Sequence, residues 1–335
     1  MSRITIKDIA KKLSVSPSTV SRALRDHPDI SKETKQLIAR TAEELDYFPD
    51  SLAQGLKSRR TNTIGLIVPE IKHHFFSSAI SGIEDVTYNS GFTILVCQSN
   101  EDVEREKINL KALVSNRIAG LLVSISQTTT DITHFDILKK RGIPVVFFDR
   151  TLENMPGSRV IVDDCNGAYN AVTHLIRNGY KRIAHIAGPE NISIGKQRFE
   201  GYRQALSDNN MPCLEELVIR GGFRQADGEA AAEKLIRMEN RPDAVFAVND
   251  PVAIGAFIRL KKHKIDIPGK MALVGFSNNP VSSLIDPPLT TVEQPSYEIG
   301  QDAARLLLKQ IKQEGPPKPD IEHILKTKLI IRQSS

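Results

Sequence analysis

The stretch that decides the fold near the N-terminus is Val15-Ser16-Pro17-Ser18-Thr19-Val20-Ser21-Arg22-Ala23-Leu24. Ser16 can cap a helix whose first position is Pro17, where a missing N–H costs no hydrogen bond. The apolar residues that follow recur at helical spacing, so one face of this helix is expected to be buried. The stretch therefore predicts a short helix whose other face exposes small polar side chains and an arginine, namely Ser18, Ser21 and Arg22.

Two further amphipathic helices flank this one. The first spans 6–13 with Thr5 as its N-cap, and its apolar residues at helical spacing are Ile6, Ile9, Ala10 and Leu13. The turn after it contains Ser14, which tolerates a positive φ less well than glycine and is expected to carry slight strain. The third helix begins at Ser31, and the residues expected to close a shared core are Leu37, Ile38, Ala42 and Leu45. This arrangement predicts a helix-turn-helix.

Most of the net positive charge lies in the same part of the chain. Residues 1–60 carry 12 Lys/Arg against 8 Asp/Glu, whereas the remainder carries 33 against 32. Residues 3–25 alone hold six basic residues and one acid. Such a block suits the neutralisation of DNA phosphates, although a solvated helix face would carry the same charge.

From Thr63 onward, short β-rich runs alternate with helical patterns. The predicted strands are 64–68, 93–97, 120–124, 145–149, 182–187, 217–220, 244–248 and 271–276. The predicted helices lie near 76–90, 102–116, 132–141, 166–178, 196–209, 224–238 and 251–263. This alternation predicts parallel sheets in an open α/β fold, with a second copy of the arrangement beginning at 163–166. Two Rossmann-like subdomains suit a ligand cleft at the carboxyl ends of the strands.

Several ordered segments resemble the LacI/GalR family of transcriptional regulators. In the N-terminal part they are Thr5-Ile6-Lys7-Asp8-Ile9-Ala10, the stretch 15–24 and Leu45-Asp46-Tyr47-Phe48-Pro49. Further segments at 69–76, 162–163, 197–202, 248–250, 274–278 and 288–295 extend the resemblance over essentially the entire chain. It implies a helix-turn-helix headpiece at 1–49, a hinge helix at 50–61 and a core at 62–335 of the periplasmic-binding-protein type I kind.

The resemblance also implies how the core is divided. An N-subdomain would contain 62–161 and 291–320, and a C-subdomain would contain 162–290 and 321–333. Helix 296–312 would then return to the N-subdomain, while the last strand, near 323–332, would lie in the C-subdomain.

The family's DNA contacts can be carried over residue by residue. They match Thr5, Ser16, Pro17, Ser18, Thr19, Ser21, Arg22 and Tyr47 in the headpiece, and Ala53, Leu56 and Lys57 in the hinge. Arg22 can bond guanine O6 and N7 bidentately, although an arginine in this place also suits a surface ion pair. Leu56 matches a leucine wedge that bends the duplex from the minor groove, and the alternative is a leucine that packs on the next domain. Asp50 and Gln54 depart from the family's frequent Asn and Arg.

The effector pocket of the family maps onto Phe75, Asp149, Asp163, Arg198, Phe223, Asn249, Ser277 and Gln294. The two phenylalanines would stack on a sugar or base, or else belong to the core. Arg198 would clamp hydroxyls or a carboxylate, or else form an interdomain ion pair. Ser277-Asn278 departs from the family's frequent Asp-Asp or Asp-Asn. This departure favours a modified, acidic or phosphorylated sugar, or a protein co-regulator, over a simple neutral hexose.

These features indicate a DNA-binding transcriptional regulator, a repressor whose operator affinity is changed by a sugar or sugar derivative bound between the core subdomains. The alternatives are control by a protein co-regulator and a sugar-binding protein without a transcriptional role. An enzyme is not expected, since the sequence has no Walker A motif, no G-x-S-x-G and no G-x-G-x-x-G after a strand. No cofactor or metal is expected either, because His73-His74 lacks a further ligand at metal spacing.

Localisation and assembly follow from what the sequence lacks. The N-terminus has no apolar signal-peptide core, and the apolar runs are too short to cross a bilayer. Cys97, Cys165 and Cys213 are widely separated, which argues against a disulfide framework. We therefore expect a cytoplasmic protein with reduced thiols and no membrane partner. No heptad extension follows Arg332, so a homodimer is expected rather than a tetramer.

Overall fold

The computed structural model describes residues 4–24, 26–47, 61–153, 155–313 and 319–335. It divides into two compact units, Met1–Thr61 and Asn62–Ser335. The predicted hinge helix, with Ala53, Leu56 and Lys57, lies outside the described residues apart from Thr61.

The first unit contains helices α1 (Ile6–Lys12), α2 (Pro17–Ala23) and α3 (Lys32–Glu44). Their shared core consists of Ile9, Ala10, Val20, Ala23, Ile38 and Ala42. Leu37 was predicted to join this core, and that prediction is wrong, because its side chain is 54% exposed. Successive residues of a helix point about 100° apart, so the face that buries Ile38 turns its neighbour outward.

Local hydrogen bonds explain where these helices begin. Thr5 and Asp8 form a capping box at α1, and the Ser16 hydroxyl accepts a hydrogen bond from the Thr19 N–H at 3.1 Å. The Ser31 hydroxyl likewise accepts from the Thr34 N–H, at 3.2 Å. The predicted caps at Thr5 and Ser16 are confirmed, and the third helix begins at Ser31 as predicted. Ser14 has a φ of 51°, the left-handed conformation in which a non-glycine residue is strained.

The second unit contains two six-stranded sheets. The strands of the first sheet are β1 (Thr63–Val68), β2 (Thr93–Gln98), β3 (Gly120–Val123), β4 (Val145–Phe148), β5 (Ser158–Val162) and β11 (Glu322–Leu325). Those of the second are β6 (Ile183–Ala187), β7 (Val218–Arg220), β8 (Ala244–Ala247), β9 (Ala272–Phe276), β10 (Thr290–Glu293) and β12 (Lys328–Ile330). The spatial orders are β11-β5-β4-β3-β1-β2 and β12-β10-β9-β8-β6-β7. Every pairing is parallel except that of β10 with β12.

Helices cover both faces of each sheet, as buried parallel strands require. They are α4 (His74–Tyr88), α5 (Val103–Ser115), α6 (Asp136–Lys140), α7 (Asp164–Arg177), α8 (Ser193–Asp208), α9 (Gln225–Ile236), α10 (Asp250–Lys262) and α11 (Ser296–Ile311). We call the first sheet with α4, α5, α6 and α11 the first subdomain, and the second sheet with α7 to α10 the second subdomain. The predicted α/β fold with a helix-turn-helix headpiece is confirmed.

Helices α4 and α11 of the first subdomain pack closely against each other. A Cβ atom added at Gly82 would lie 2.1 Å from the carbonyl oxygen of Tyr297, and one at Gly300 would lie 2.1 Å from that of Ala79. Glycine at these two positions therefore lets the helix backbones touch. This contact ties α11, which is distant in the chain, to the first subdomain.

The structure differs from the sequence interpretation at the chain crossings. All eight predicted strands are present, but β5 and β10 were not among them, because their short runs interleave polar residues with apolar ones. The last strand was expected wholly in the second subdomain. Instead, β11 pairs with β5 in the first sheet and β12 pairs with β10 in the second. The chain crosses between the sheets through the two residues that separate β11 from β12. In the first sheet, β11 is the edge strand next to β5.

His185 is a buried histidine in the middle of the second sheet. Its Nδ1 donates a hydrogen bond to the carbonyl of Phe246 at 2.9 Å, and its ring stacks against those of Tyr202 and Phe246. Burial lowers the pKa of His185 to about 4. The ring is therefore neutral in the folded protein at neutral pH.

This buried ring is expected to make stability depend on pH. An unfolded histidine titrates near 6.5, so the stabilising contribution is complete above that pH and is lost as the pH falls toward 4. The difference in pKa corresponds to about 3 kcal/mol. Urea unfolding between pH 7 and 4 should therefore show a loss about 3 kcal/mol larger in the wild-type protein than in His185→Leu. Equal losses would contradict a neutral, buried His185.

Candidate functional site

The predicted DNA contacts of the headpiece lie around the start of α2. Ser16, Pro17, Ser18 and Arg22 are exposed, and Thr19 and Ser21 are half-buried. Thr5 is exposed at the start of α1, whereas Tyr47 packs against the edge of the headpiece core. The small side chains at this end leave space for a close approach of a groove.

Among the residues that the structure describes, Arg22 has one acidic side chain near its guanidinium. Its Nη1 lies 4.0 Å from Oδ2 of Asp29, and both side chains are about 60% exposed. Exposed pairs of this kind contribute little, because solvent screens them. The guanidinium is therefore free to exchange Asp29 for a nucleic acid acceptor.

In the second unit, the carboxyl ends of the strands bring together most of the predicted effector residues. Asp149, Asp163, Asn249, Ser277 and Gln294 all follow within two residues of a strand, and Phe223 lies three residues after β7. Arg198 reaches the same region from α8, since its Nη1 donates to the carbonyl of Val248, the residue after β8. Ligand sites of open α/β folds lie at these ends, and the predicted arrangement is of that kind.

Backbone strain is concentrated at the same strand ends. Positive φ angles occur at Asn100, Glu101, Asp149, Ser277 and Asn278, with values of 56°, 62°, 60°, 116° and 48°. Such conformations cost about 1–3 kcal/mol each and persist where the surroundings hold them. These turns follow β2, β4 and β9. Strained turns cluster at functional sites, so these turns are candidates for parts of a binding site.

Unsatisfied polar atoms mark the same region. Within the described ranges, buried atoms without a hydrogen-bond partner near these strand ends are His73 Nδ1 and Nε2, Ser99 Oγ, Gln127 Oε1, Arg150 Nε, Ser277 Oγ and Gln294 Nε2. Buried polar groups are normally paired in folded proteins, so a group of this size needs partners from outside the chain.

Arg150 is the central cation of this region. Its Nη1 donates to both carboxylate oxygens of Glu101, each at 2.8 Å. Its Cζ lies 4.3 Å from the ring centroid of Phe223 and 5.4 Å from that of Phe76. Since Phe223 belongs to the second subdomain, this arginine reaches across the cleft.

Arg198 makes a buried ion pair of its own. Its Nε donates to Oδ1 of Asp164 at 2.8 Å, its Nη1 donates to the Val248 carbonyl at 2.6 Å, and its Cζ lies 3.7 Å from the Phe276 ring centroid. The alternative given for Arg198, an interdomain ion pair, is wrong. Asp164 in α7 and Arg198 in α8 both belong to the second subdomain. A contact of Arg198 with a ligand stays a prediction.

Asp149 is a buried carboxyl group of the cleft whose pKa is raised. Burial raises its pKa to about 6, against the opposing effect of the nearby Arg150 and Arg198 guanidiniums. Its Oδ2 accepts a hydrogen bond from the Ser124 hydroxyl at 3.3 Å. A ligand hydroxyl donated to Asp149 would stabilise the charged form.

Three other predicted effector residues have structural roles. Phe75 packs in the apolar core of the first subdomain. Asn249 caps α10, accepting from the Val252 N–H and donating to the Phe223 carbonyl, both at 2.9 Å. Asp163 caps α7 through the Asn166 N–H and lines a groove of about 480 Å³ near the crossing strands.

Polar contacts hold the two subdomains together across the cleft. Nε and Nη2 of Arg224 each bond to Oε1 of Glu70 at 2.9 Å. The Asn191 amide donates to the carbonyls of Gln127 and Thr129 at 3.0 Å. The cleft is therefore closed in this structure.

The sequence interpretation missed five residues of the cleft wall in the first subdomain. They are His73, Ser99, Glu101, Gln127 and Arg150. Burial and the neighbouring Arg150 lower the pKa of His73 to about 4, so its ring is neutral. The last four follow β2, β3 and β4 by one to four residues. Reading every residue just after a predicted strand as a cleft candidate would have found them.

Other classes of site find little support in the part of the chain that the structure describes. That part contains no cluster of three His, Cys, Asp or Glu side chains suited to a metal ion. It also contains no helix long and apolar enough to span a membrane.

Comparisons with known proteins match both units. Residues 5–50 match the family model of bacterial regulatory proteins of the lacI family, and residues 172–335 match the periplasmic binding protein-like domain. The HTH-type transcriptional repressor PurR of Vibrio atlanticus (strain LGP32) is 32% identical, covering 94% of each chain. Catabolite control protein A of Priestia megaterium is 31% identical, covering 93% of each chain.

Solved structures agree with these relatives. A complex of the transcriptional regulator CelR with cellobiose is 30% identical, with a TM-score of 0.75 over 99% of this chain and 100% of that one. The Lac repressor dimer bound to operator shares the fold with a TM-score of 0.86 over 99% of both chains, at 23% identity.

A helix-turn-helix unit followed by a two-sheet, ligand-binding core defines a DNA-binding transcriptional regulator. The chain belongs to the lacI family of bacterial regulatory proteins, as the resemblance implied. Its relatives are regulators rather than enzymes, in agreement with the sequence interpretation.

Proposed function

We propose that this regulator acts as a homodimeric repressor whose affinity for operator DNA is changed by a neutral carbohydrate in the cleft. The proposed DNA contacts are Thr5, Ser16, Pro17, Ser18, Thr19, Ser21, Arg22, Tyr47, Ala53, Leu56 and Lys57. The proposed ligand contacts are Asp149, Phe223, Ser277 and Gln294 from the sequence interpretation, with His73, Ser99 and Gln127 added. Phe75, Asp163, Arg198 and Asn249, the other ligand contacts of the sequence interpretation, stay predictions and also have structural partners within the chain.

The observation that carries the choice of ligand is the mixture of unsatisfied groups in the described part of the cleft. Gln294 Nε2 can only donate, and Gln127 Oε1 can only accept. The hydroxyls of Ser99 and Ser277 and the neutral ring of His73 can do both. Ligand hydroxyls, which donate and accept, match this mixture. An anion would leave the Gln127 acceptor unpaired.

The charges of the cleft also favour a neutral ligand. Each arginine already has a carboxylate partner, since Arg150, Arg198 and Arg224 pair with Glu101, Asp164 and Glu70. The cleft also contains the carboxyl group of Asp149, in addition to the three carboxylates that pair with these arginines. A phosphate group would have to compete with these carboxylates, so the acidic or phosphorylated sugar favoured by Ser277 loses support. The relative bound to cellobiose and a neighbour solved with ribose are consistent with an uncharged sugar.

Selection from random duplex DNA, followed by fluorescence anisotropy, tests this proposal. We expect the full-length protein to enrich one two-fold symmetric site, and one neutral sugar among ribose, glucose and cellobiose to change its affinity by about 5–150-fold. Glucose 6-phosphate is the matched charged control and should act more weakly than glucose. An enrichment of no sequence would contradict the operator, and a response to the phosphorylated sugar alone would contradict the neutral ligand.

A further inference from the structure

Arg150 occupies a place in the cleft that has the features of a ligand subsite. Its guanidinium lies over Phe223 of the second subdomain and beside Phe76 of the first, at 4.3 Å and 5.4 Å from the ring centroids. Phe223 is the aromatic residue on which a ligand ring would stack in the proposed function. The planar guanidinium therefore covers the surface that the ligand needs.

Within the part of the chain that the structure describes, the guanidinium of Arg150 makes hydrogen bonds through Nη1 but none through Nε. Nη1 donates to both oxygens of Glu101, while Nε makes no hydrogen bond among the described residues and lies 3.8 Å from Oδ2 of Asp149. A buried donor without an acceptor costs free energy, so this position does not satisfy the side chain fully. The position on Phe223 therefore leaves one donor of Arg150 without a hydrogen bond to the described residues.

A second arginine supports closure independently of the first. Arg224 follows Phe223 in the chain and pairs with Glu70 of the first subdomain. Two consecutive residues of the second subdomain therefore contact the first subdomain. The ring of Phe223 lies under Arg150, and the guanidinium of Arg224 binds Glu70. Release of Arg150 would leave the Arg224 contact in place.

We propose that Arg150 is an internal competitor of the effector, stacking on Phe223 in the free protein and leaving when a sugar ring takes that face. The inference rests on the proposed function and adds how its site is regulated. A desolvated cation–π contact is worth about 1–2 kcal/mol, so removing the guanidinium should tighten sugar binding about 5–30-fold. The Arg150 side chain would therefore raise the sugar concentration at which operator affinity changes.

The absence of tryptophan from the sequence allows a direct readout. Phe223→Trp introduces a single reporter on the stacking face, in the full-length protein. Adding Arg150→Met should change its emission without any ligand, and titration with ribose, glucose and cellobiose should show the expected gain in affinity. Phe199→Trp is the matched control, because its ring faces Arg220 at 5.6 Å. Its emission should not respond to Arg150→Met.

Chemical rescue tests the place of the guanidinium in the cleft without a sugar. Arg150→Ala should lower the melting temperature, and ethylguanidinium should restore part of the loss, whereas ethylammonium at equal concentration should not. No difference between the two cations would overturn the proposal, as would weaker sugar binding by Arg150→Met. If no sugar binds any variant while rescue succeeds, the carbohydrate proposal fails and the place of Arg150 in the cleft stands.

Discussion

Deletion of residues 1–61 is expected to abolish operator binding while the remaining core keeps its response to sugar. Specific sites are commonly bound about 10³–10⁷-fold more tightly than random DNA, so the loss should exceed about 10³-fold. The reason is that the helix-turn-helix and nearly all the net positive charge lie in this part. Anisotropy with the selected operator, and calorimetry with the active sugar, measure the two properties separately.

The charge distribution makes the same deletion informative for non-specific binding. Without 1–60 the chain holds 33 basic against 32 acidic residues, so the core has little net attraction for phosphates. The steep fall of affinity with salt should therefore disappear together with the headpiece. An Arg22→Ala variant is the matched control, since it should lose specificity and keep most of the salt dependence. Operator binding by the isolated core would refute the assignment.

Replacement of Arg198 by methionine is expected to destabilise the second subdomain by about 3–5 kcal/mol, the usual effect of removing one partner from a buried ion pair. Asp164 would then remain buried with an uncompensated charge, because Arg198 donates to its Oδ1 from Nε and Nη2. Burial already raises the pKa of Asp164 in the presence of that partner. Urea unfolding of the full-length protein measures the loss.

The double variant Arg198→Met/Asp164→Leu separates this structural role from a ligand contact. Removing both charges should recover a large part of the stability, since no buried carboxylate is then left unpaired. Lys196→Met is the control on the same helix, because its pair with Glu153 is exposed and should contribute little to stability. A stable Arg198→Met protein that has lost its sugar response would instead make Arg198 a direct ligand contact.

Much of this protein was determined by local sequence. The caps at Thr5, Ser16 and Ser31 and the spacing of apolar residues specify the helices of the headpiece, because these signals act within one or two turns. Alternating β-rich and helical runs likewise predicted the α/β fold, and the location of the basic residues indicated where DNA binds. Each of these inferences depends on neighbours in the chain.

Tertiary structure decided the composition of the cleft. Glu70 and Arg224 are 154 residues apart, and their pairing depends on which strand ends face each other once both sheets have formed. The contact of Arg150 with Phe223 and the burial that keeps His73 neutral also depend on how the two sheets and their helices pack. Burial also pairs Arg198, the predicted ligand clamp, with Asp164, a partner that the sequence did not indicate. The residue types at such positions can be read from the sequence, but their partners are chosen by packing between distant elements.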